Sequence, residues 1–129
     1  MREPEFLTRA IVEQLHTDSL TLFGGSAGIR DEGLVDSALA SARNTYLYGY
    51  GDLFEIAASY AFHIAEAQAF LDGNKRTAVA AALTFLQGND VKMEIDDQVL
   101  FMAMIDVANK KMTKADLAGL FRKCAQPEH

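Results

Sequence analysis

The chain has 129 residues, half of them hydrophobic, with a formal net charge of −6 and a sequence pI near 4.9. That composition lies outside the disordered range and suits a single domain, 1–129, large enough to build a core. It excludes a membrane span, since no apolar run approaches the ~18–20 residues one needs, and the acidic balance argues against a nucleic-acid surface, which depends on many cation–phosphate contacts.

The first residues, Met1-Arg2-Glu3-Pro4-Glu5, lack the basic region and apolar stretch of a signal peptide. The lone Cys124 has no internal disulfide partner, which fits a reducing, cytoplasmic setting. His16, His63, His129 and Cys124 show no zinc-ligand spacing.

From Thr8, a suitable N-cap, to about Leu22, the apolar stripe of Ile11, Leu15 and Leu22 predicts a helix. His16 lies beside that stripe and reads as a partly buried structural residue, with a ligand contact as the alternative. Gly24-Gly25 and Gly28 mark a loop. Asp31 caps a second helix carrying Leu34, Val35, Ala38, Leu39 and Ala42. Tyr46, Tyr48 and Tyr50, interleaved with Gly49 and Gly51, form an aromatic loop, read as tyrosines folded over a helix bundle rather than as a binding rim. Asp52-x-x-Glu55 resembles a capping box and opens a helix that ends near Gln68. Within that helix His63 packs rather than reacts.

The next helix runs from Asn74 to about Gln87, with Gly88 as its stop. Ala78, Val79, Ala80, Ala81, Ala82, Leu83, Phe85 and Leu86 make it apolar nearly all round, the mark of a helix inside a bundle. Val91 to Ile95 alternates apolar and polar, giving at most one short extended segment. Asp96 or Asp97 caps a helix with Leu100, Ala103 and Val107. Thr113-x-x-Asp116 opens a last one with Leu117, Leu120 and Phe121. Met102, Met104 and Met112 read as core filling, with contact to a partner as the alternative. The tail after Cys124 is expected to fray. The sum is an all-α, mainly helical bundle of six or seven helices around the apolar helix starting at Asn74.

The chemistry concentrates where that helix begins. Gly73 supplies a backbone free to take positive φ, and Asn74 has the side chain to cap the helix. Lys75 and Arg76 then fall in the first turn, where the helix dipole disfavours cations by roughly 0.3–1 kcal/mol each. Two cations beside free backbone N–H groups make a positive pocket, and a bound phosphate accounts for it economically. Asp72, just outside, could hold the divalent metal that accompanies a nucleotide. The plainer reading has the lysine and arginine stems packed and their heads in water.

Ala61-Phe62-His63-Ile64-Ala65, followed by Phe70-Leu71-Asp72-Gly73-Asn74-Lys75-Arg76-Thr77-Ala78, closely resembles the Fic/Doc family on its Doc (death-on-curing toxin) side. Gly24-Gly25, Gly28-Ile29-Arg30-Asp31, Leu34 through Leu39 and Asp52-Leu53 match the upstream pattern, so the resemblance runs from about Phe6 to Leu86. It implies a helical Fic fold with a nucleotide phosphate at the start of the central helix. In the Fic branch the motif reads His-Pro-Phe-x-x-Gly-Asn-Gly-Arg and AMP is transferred to hydroxyl groups. In Doc the second glycine of Gly-Asn-Gly is lysine, as Lys75 is here. The resemblance then implies transfer of the γ-phosphate of ATP to a threonine of elongation factor Tu, and neutralisation by a Phd-like antitoxin whose disordered segment folds onto a groove.

Carried over by position, Asp72 is the Mg ligand or a catalytic residue that positions the acceptor hydroxyl. Gly73, Asn74, Lys75 and Arg76 hold phosphates, and Phe70 is a buried structural anchor. Gln68 falls where the family has its catalytic histidine. Glutamine cannot take a proton near pH 7, so a lost general base should cost about 10²–10⁴-fold in rate. Three accounts follow: a disarmed variant, a natural member with weakened chemistry, or one in which Gln68 positions the reactants. The functional readings are a Doc-like phosphotransferase, a non-catalytic antitoxin- or partner-binding module with residual nucleotide binding, and a Fic-type AMP transferase, against which Lys75 speaks.

Overall fold

In the computed structural model, which describes residues 3–126, the chain forms six α-helices. They are α1 (Arg9–Phe23), α2 (Glu32–Leu47), α3 (Leu53–Ala67), α4 (Asn74–Gly88), α5 (Asp97–Ala108) and α6 (Lys114–Cys124). Five start on a side-chain cap. Thr8, Asp31, Asp52, Asp96 and Thr113 each accept a backbone N–H from the first turn, and Asp52–Glu55 and Thr113–Asp116 close full capping boxes. The fold is all-α. Among the described residues, none of the helices is long and apolar enough to cross a membrane.

The centre is shared by α3 and α4. From Ile56 to Ala61 every residue of α3 is fully buried, because α3 packs against α2, α4, α5 and α6. Small side chains (Ala57, Ala58, Ser59, Ala61) let those neighbours come close, and Tyr60 and Phe85 fill the space between α3 and α4. α4 buries Thr77, Ala78, Ala81, Ala82, Phe85 and Leu86 and packs on α1 on its other side. The start of α4 is therefore braced by both α3 and α1.

Three local expectations are corrected. The buried face of α1 is Val12, His16 and Ser19, while Ile11 and Leu22 are 40% and 76% exposed. The face is rotated by about one residue because α1 spends its polar side chains on the loop before α4. Of the three tyrosines only Tyr46 packs, edge-on against Phe6. Tyr48 and Tyr50 stand 79% and 91% exposed, since the helix ends at Leu47 and Tyr50 takes a left-handed backbone. The tail does not fray at once. Ala125 bridges Met93, the Glu94 N–H donates to the Cys124 carbonyl, and the Gln126 N–H donates to Lys92. The short extended segment thus pairs with residues 124–126; residues 127–129, His129 among them, lie outside the described residues.

Candidate nucleotide-phosphate site

α3 ends at Gln68 with φ 49° and ψ 44°, a left-handed cap that costs a non-glycine residue about 1–2 kcal/mol. The chain then turns through 69–73 into α4. Phe70 is 1% exposed, as expected of an anchor. The loop is fixed from α1 and from the α1–α2 connection. The Arg30 N–H donates to Ala69 O at 2.6 Å and the Leu71 N–H to Gly28 O at 3.1 Å, a single antiparallel bridge of Ile29 with Phe70. From the other side the His16 ring stacks on Phe70, and its Nε2–H donates to the Asp72 carbonyl.

Asn74 does not cap α4. Its Oδ1 accepts the Phe70 N–H at 3.0 Å and its Nδ2 donates to Phe70 O at 2.9 Å, closing the loop on itself. The N-cap is Gly73 at φ 76°, with no side-chain bond to the helix. The sequence places a capping side chain one residue inside the helix, and the amide satisfies the loop instead. The consequence for binding is favourable: the first N–H groups of α4 keep no side-chain acceptor and remain open to an anion.

Asp72 is exposed and its carboxylate is oriented by backbone. Oδ1 accepts the Gly73 N–H at 3.1 Å and Oδ2 accepts the Ser26 N–H at 3.2 Å. Gly25 makes that approach feasible, for a Cβ there would lie 3.0 Å from Asp72 Oδ2. The two cations part company. Arg76 Nε donates to Ser19 Oγ and Nη2 to Gly24 O, both at 3.0 Å, and the guanidinium lies over the Phe23 ring. Three of its five N–H groups stay free among the described residues. Lys75 is exposed and has no partner among them. Both line a cleft of about 370 Å³ together with Gln68, Asp72, Gly73, Asn74 and, from other elements, Arg30 and Phe101. All six residues singled out in the sequence thus meet in one place.

This cleft carries positive charge from Lys75, Arg76 and Arg30 against the single carboxylate of Asp72. It can hold phosphate oxygens on backbone amides and cations, as a loop-to-helix junction does. Residues 6–86 match the profile of the Fic/DOC family. The chain belongs to the Fic/Doc family. It is 42% identical over 98 residues to the "Toxin Doc" of Mycolicibacterium smegmatis, covering 74% of this chain and 72% of that one. It is 30% identical over 110 residues to the "Protein kinase doc" of Escherichia phage P1, covering 84% and 86%. These similarities put the chain on the Doc side of the Fic/Doc family.

Sequence reading missed the supports. Ser19, the Gly24 carbonyl and the Ser26 N–H carry no signal of their own, and Arg30 and Phe101 reach the cleft only through tertiary packing. The Fic/Doc pattern at Gly24–Asp31 was the one available hint, as that loop bridges the motif.

Proposed function

We propose that the chain is a Doc-like toxin that binds ATP at the start of α4 and transfers its γ-phosphate to a protein hydroxyl. The observation that carries this reading is the uncapped α4 N-terminus with Lys75 and Arg76 beside it, on a chain of the Fic/Doc family. The bond from the β,γ-bridging oxygen to the γ-phosphorus breaks, the acceptor oxygen bonds to that phosphorus, ADP leaves with the bridging oxygen, and the acceptor's proton passes to solvent water. Lys75, Arg76 and the α4 amides hold the phosphates and offset the charge that develops on them. Gln68 stands beside the cleft as a hydrogen-bonding group that cannot accept the proton. Phosphoryl transfer draws most of its catalysis from positioning and charge, so the exchange of histidine for glutamine weakens the reaction rather than abolishing it.

Asp72 fits a magnesium ion arriving with the nucleotide. Mg²⁺ commonly takes one or two carboxylates and completes its shell with phosphate and water. Each Asp72 oxygen accepts one backbone N–H and has acceptor capacity left for a cation. Among the described residues no group of three or more His, Cys, Asp or Glu could hold a metal alone. When bound, such an ion neutralises phosphate charge.

By the family resemblance the acceptor is a threonine of elongation factor Tu, and the neutralising partner is a Phd-like antitoxin in the same cell. The test uses purified elongation factor Tu with γ-labelled and α-labelled ATP, for the chain as it stands and for Gln68→His. Label from the γ position alone, stronger in Gln68→His, is the expected result. Label from the α position would move the chain to AMP transfer. Gln68 itself favours a second reading, a partner-binding module without catalysis, in which even Gln68→His transfers nothing while an antitoxin still binds tightly.

A further inference from the structure

A second cleft, of about 470 Å³, opens between the end of α3 and the α5–α6 turn. It meets the first along Ala65, Gln68 and Lys75, which line both. Phe62 and Met112 contribute apolar wall, while Lys75, Lys110 and Lys114 oppose one carboxylate, Glu66. None of the three lysines forms an ion pair among the described residues. This is a local positive excess in a chain of net charge −6.

Lys114 is the unusual member. It is half-buried at the first position of α6, where the helix dipole disfavours a cation. Its Nζ lies 3.1 Å from His63 Nε2, and an ammonium can only donate, so the imidazole accepts there and keeps its proton on Nδ1. A neutral ring therefore holds the ammonium at the cleft. The capping box occupies the Thr113 and Asp116 amides and leaves those of Lys114 and Ala115 without partners among the described residues. A merely solvated lysine would extend into water, whereas Lys114 makes a part-buried contact with the His63 ring in a cleft that two more lysines line.

We propose that this cleft is a second anion site, taking a phosphate-type dianion on Lys75, Lys110, Lys114 and the first turn of α6. The dianion has two sources, a nucleotide tail crossing Lys75 or a separate phosphate. A separate phosphate needs no ATP at α4, whereas the nucleotide tail rests on the nucleotide reading of that helix start. Its reporter is His63, whose pKa is pushed below the usual 6.5 by burial and by Lys114, with Glu66 opposing. A dianion beside Lys114 pulls it back up.

The experiment follows the His63 ring resonances of the full chain by NMR across pH, with and without inorganic phosphate at fixed ionic strength. A saturable rise of about 1 in the His63 pKa is expected on adding phosphate. It is lost in Lys110→Gln/Lys114→Gln, retained in Lys114→Arg, and retained in Arg76→Ala. ATP that moves His63 in the wild type but not in Arg76→Ala identifies the dianion as the nucleotide's own tail. The proposal is overturned if neither phosphate nor ATP moves His63, or if the double glutamine variant responds like the wild type. ATP binding that needs Arg76 while His63 stays unmoved would sink this site and leave the nucleotide reading standing. Phosphate moving His63 while no label is transferred would do the reverse.

Discussion

His16 Nε2 lies 2.8 Å from the carbonyl oxygen of Asp72, and the same ring stacks on Phe70 with centroids 3.9 Å apart. One buried side chain of α1 thus fixes both the anchor of the motif loop and the peptide that leads into α4. His16→Phe keeps a ring for the stack and deletes the donor. We expect a stability loss of about 1–2 kcal/mol, the lower part of the range for an orphaned carbonyl, as the bond is only partly buried. We also expect weaker ATP binding, because the amides of α4 are aimed by that turn. Denaturant melts and calorimetry read the two effects. An unchanged ATP affinity in a destabilised protein would show that the turn is held without His16.

Gln68→His should restore chemistry without disturbing the backbone. The residue sits at φ 49°, a conformation that histidine visits more readily than most non-glycine residues. A general base there is worth about 10²–10⁴-fold in rate. The expected outcome is transfer faster by that order, a melting temperature close to that of the parent, and greater toxicity in cells lacking an antitoxin. A properly folded Gln68→His protein with no gain would remove proton abstraction from the proposal.

Lys75 and Arg76 are adjacent yet should fail differently. Arg76 is tied to Ser19 and Gly24 across to α1, so Arg76→Ala loses both fold stability and phosphate binding. Each charge-assisted bond lost is worth about 1.5–3 kcal/mol. Lys75 touches no partner among the described residues, so Lys75→Ala should leave stability within about 0.5 kcal/mol of the parent and weaken ATP binding. Calorimetry with ATP and magnesium, set beside thermal melts, separates the two. Equal destabilisation by both variants would mean that Lys75 serves the fold.

The motif was legible because its chemistry is local. Gly73 at positive φ and the two cations at the helix start follow from a few consecutive residues, while the burial of Phe70 came from the family resemblance. Helix count and caps were legible for the same reason, since a capping box is written in four positions. What escaped was long-range. Asn74 turns its amide onto Phe70 rather than onto α4, a choice set by loop geometry and not by residue type. The buried face of α1 lies one position from its apolar stripe because His16 and Ser19 are buried to bond Asp72 in the loop and Arg76 in α4. Tyr48 and Tyr50 stand out in solvent past the end of α2, with Tyr50 in a left-handed backbone, which composition cannot reveal.

Thr77 offers a sharper check on the packing at α4. It is fully buried one turn into the helix, and its Oγ1 has no hydrogen-bond partner among the described residues. Thr77→Val removes a hydroxyl that was desolvated for nothing and keeps the branched shape. The variant should be more stable by about 1 kcal/mol, as read by denaturant unfolding. Destabilisation would mean that the hydroxyl has an acceptor in solution.

Tyr60 gives the pH dependence a defined sign. Its ring is wholly buried on α3, and its Oη accepts the Leu7 N–H at 2.9 Å, joining the N-terminal segment to the core. Burial pushes the hydroxyl's pKa above its usual 10.0; the Leu7 bond and Arg43 oppose that without reversing it. A pKa higher in the folded state than in the unfolded means that folding favours the neutral phenol. Its stabilising share is complete below pH 10 and drains away as pH climbs from there through the folded-state value. Tyr60→Phe should flatten that alkaline loss while leaving the Leu7 N–H buried without an acceptor. Near neutral pH the cost of that orphaned donor is about 1–3 kcal/mol. Urea melts at neutral pH and above pH 10 test both halves, and an alkaline loss unchanged in Tyr60→Phe would assign it to other groups.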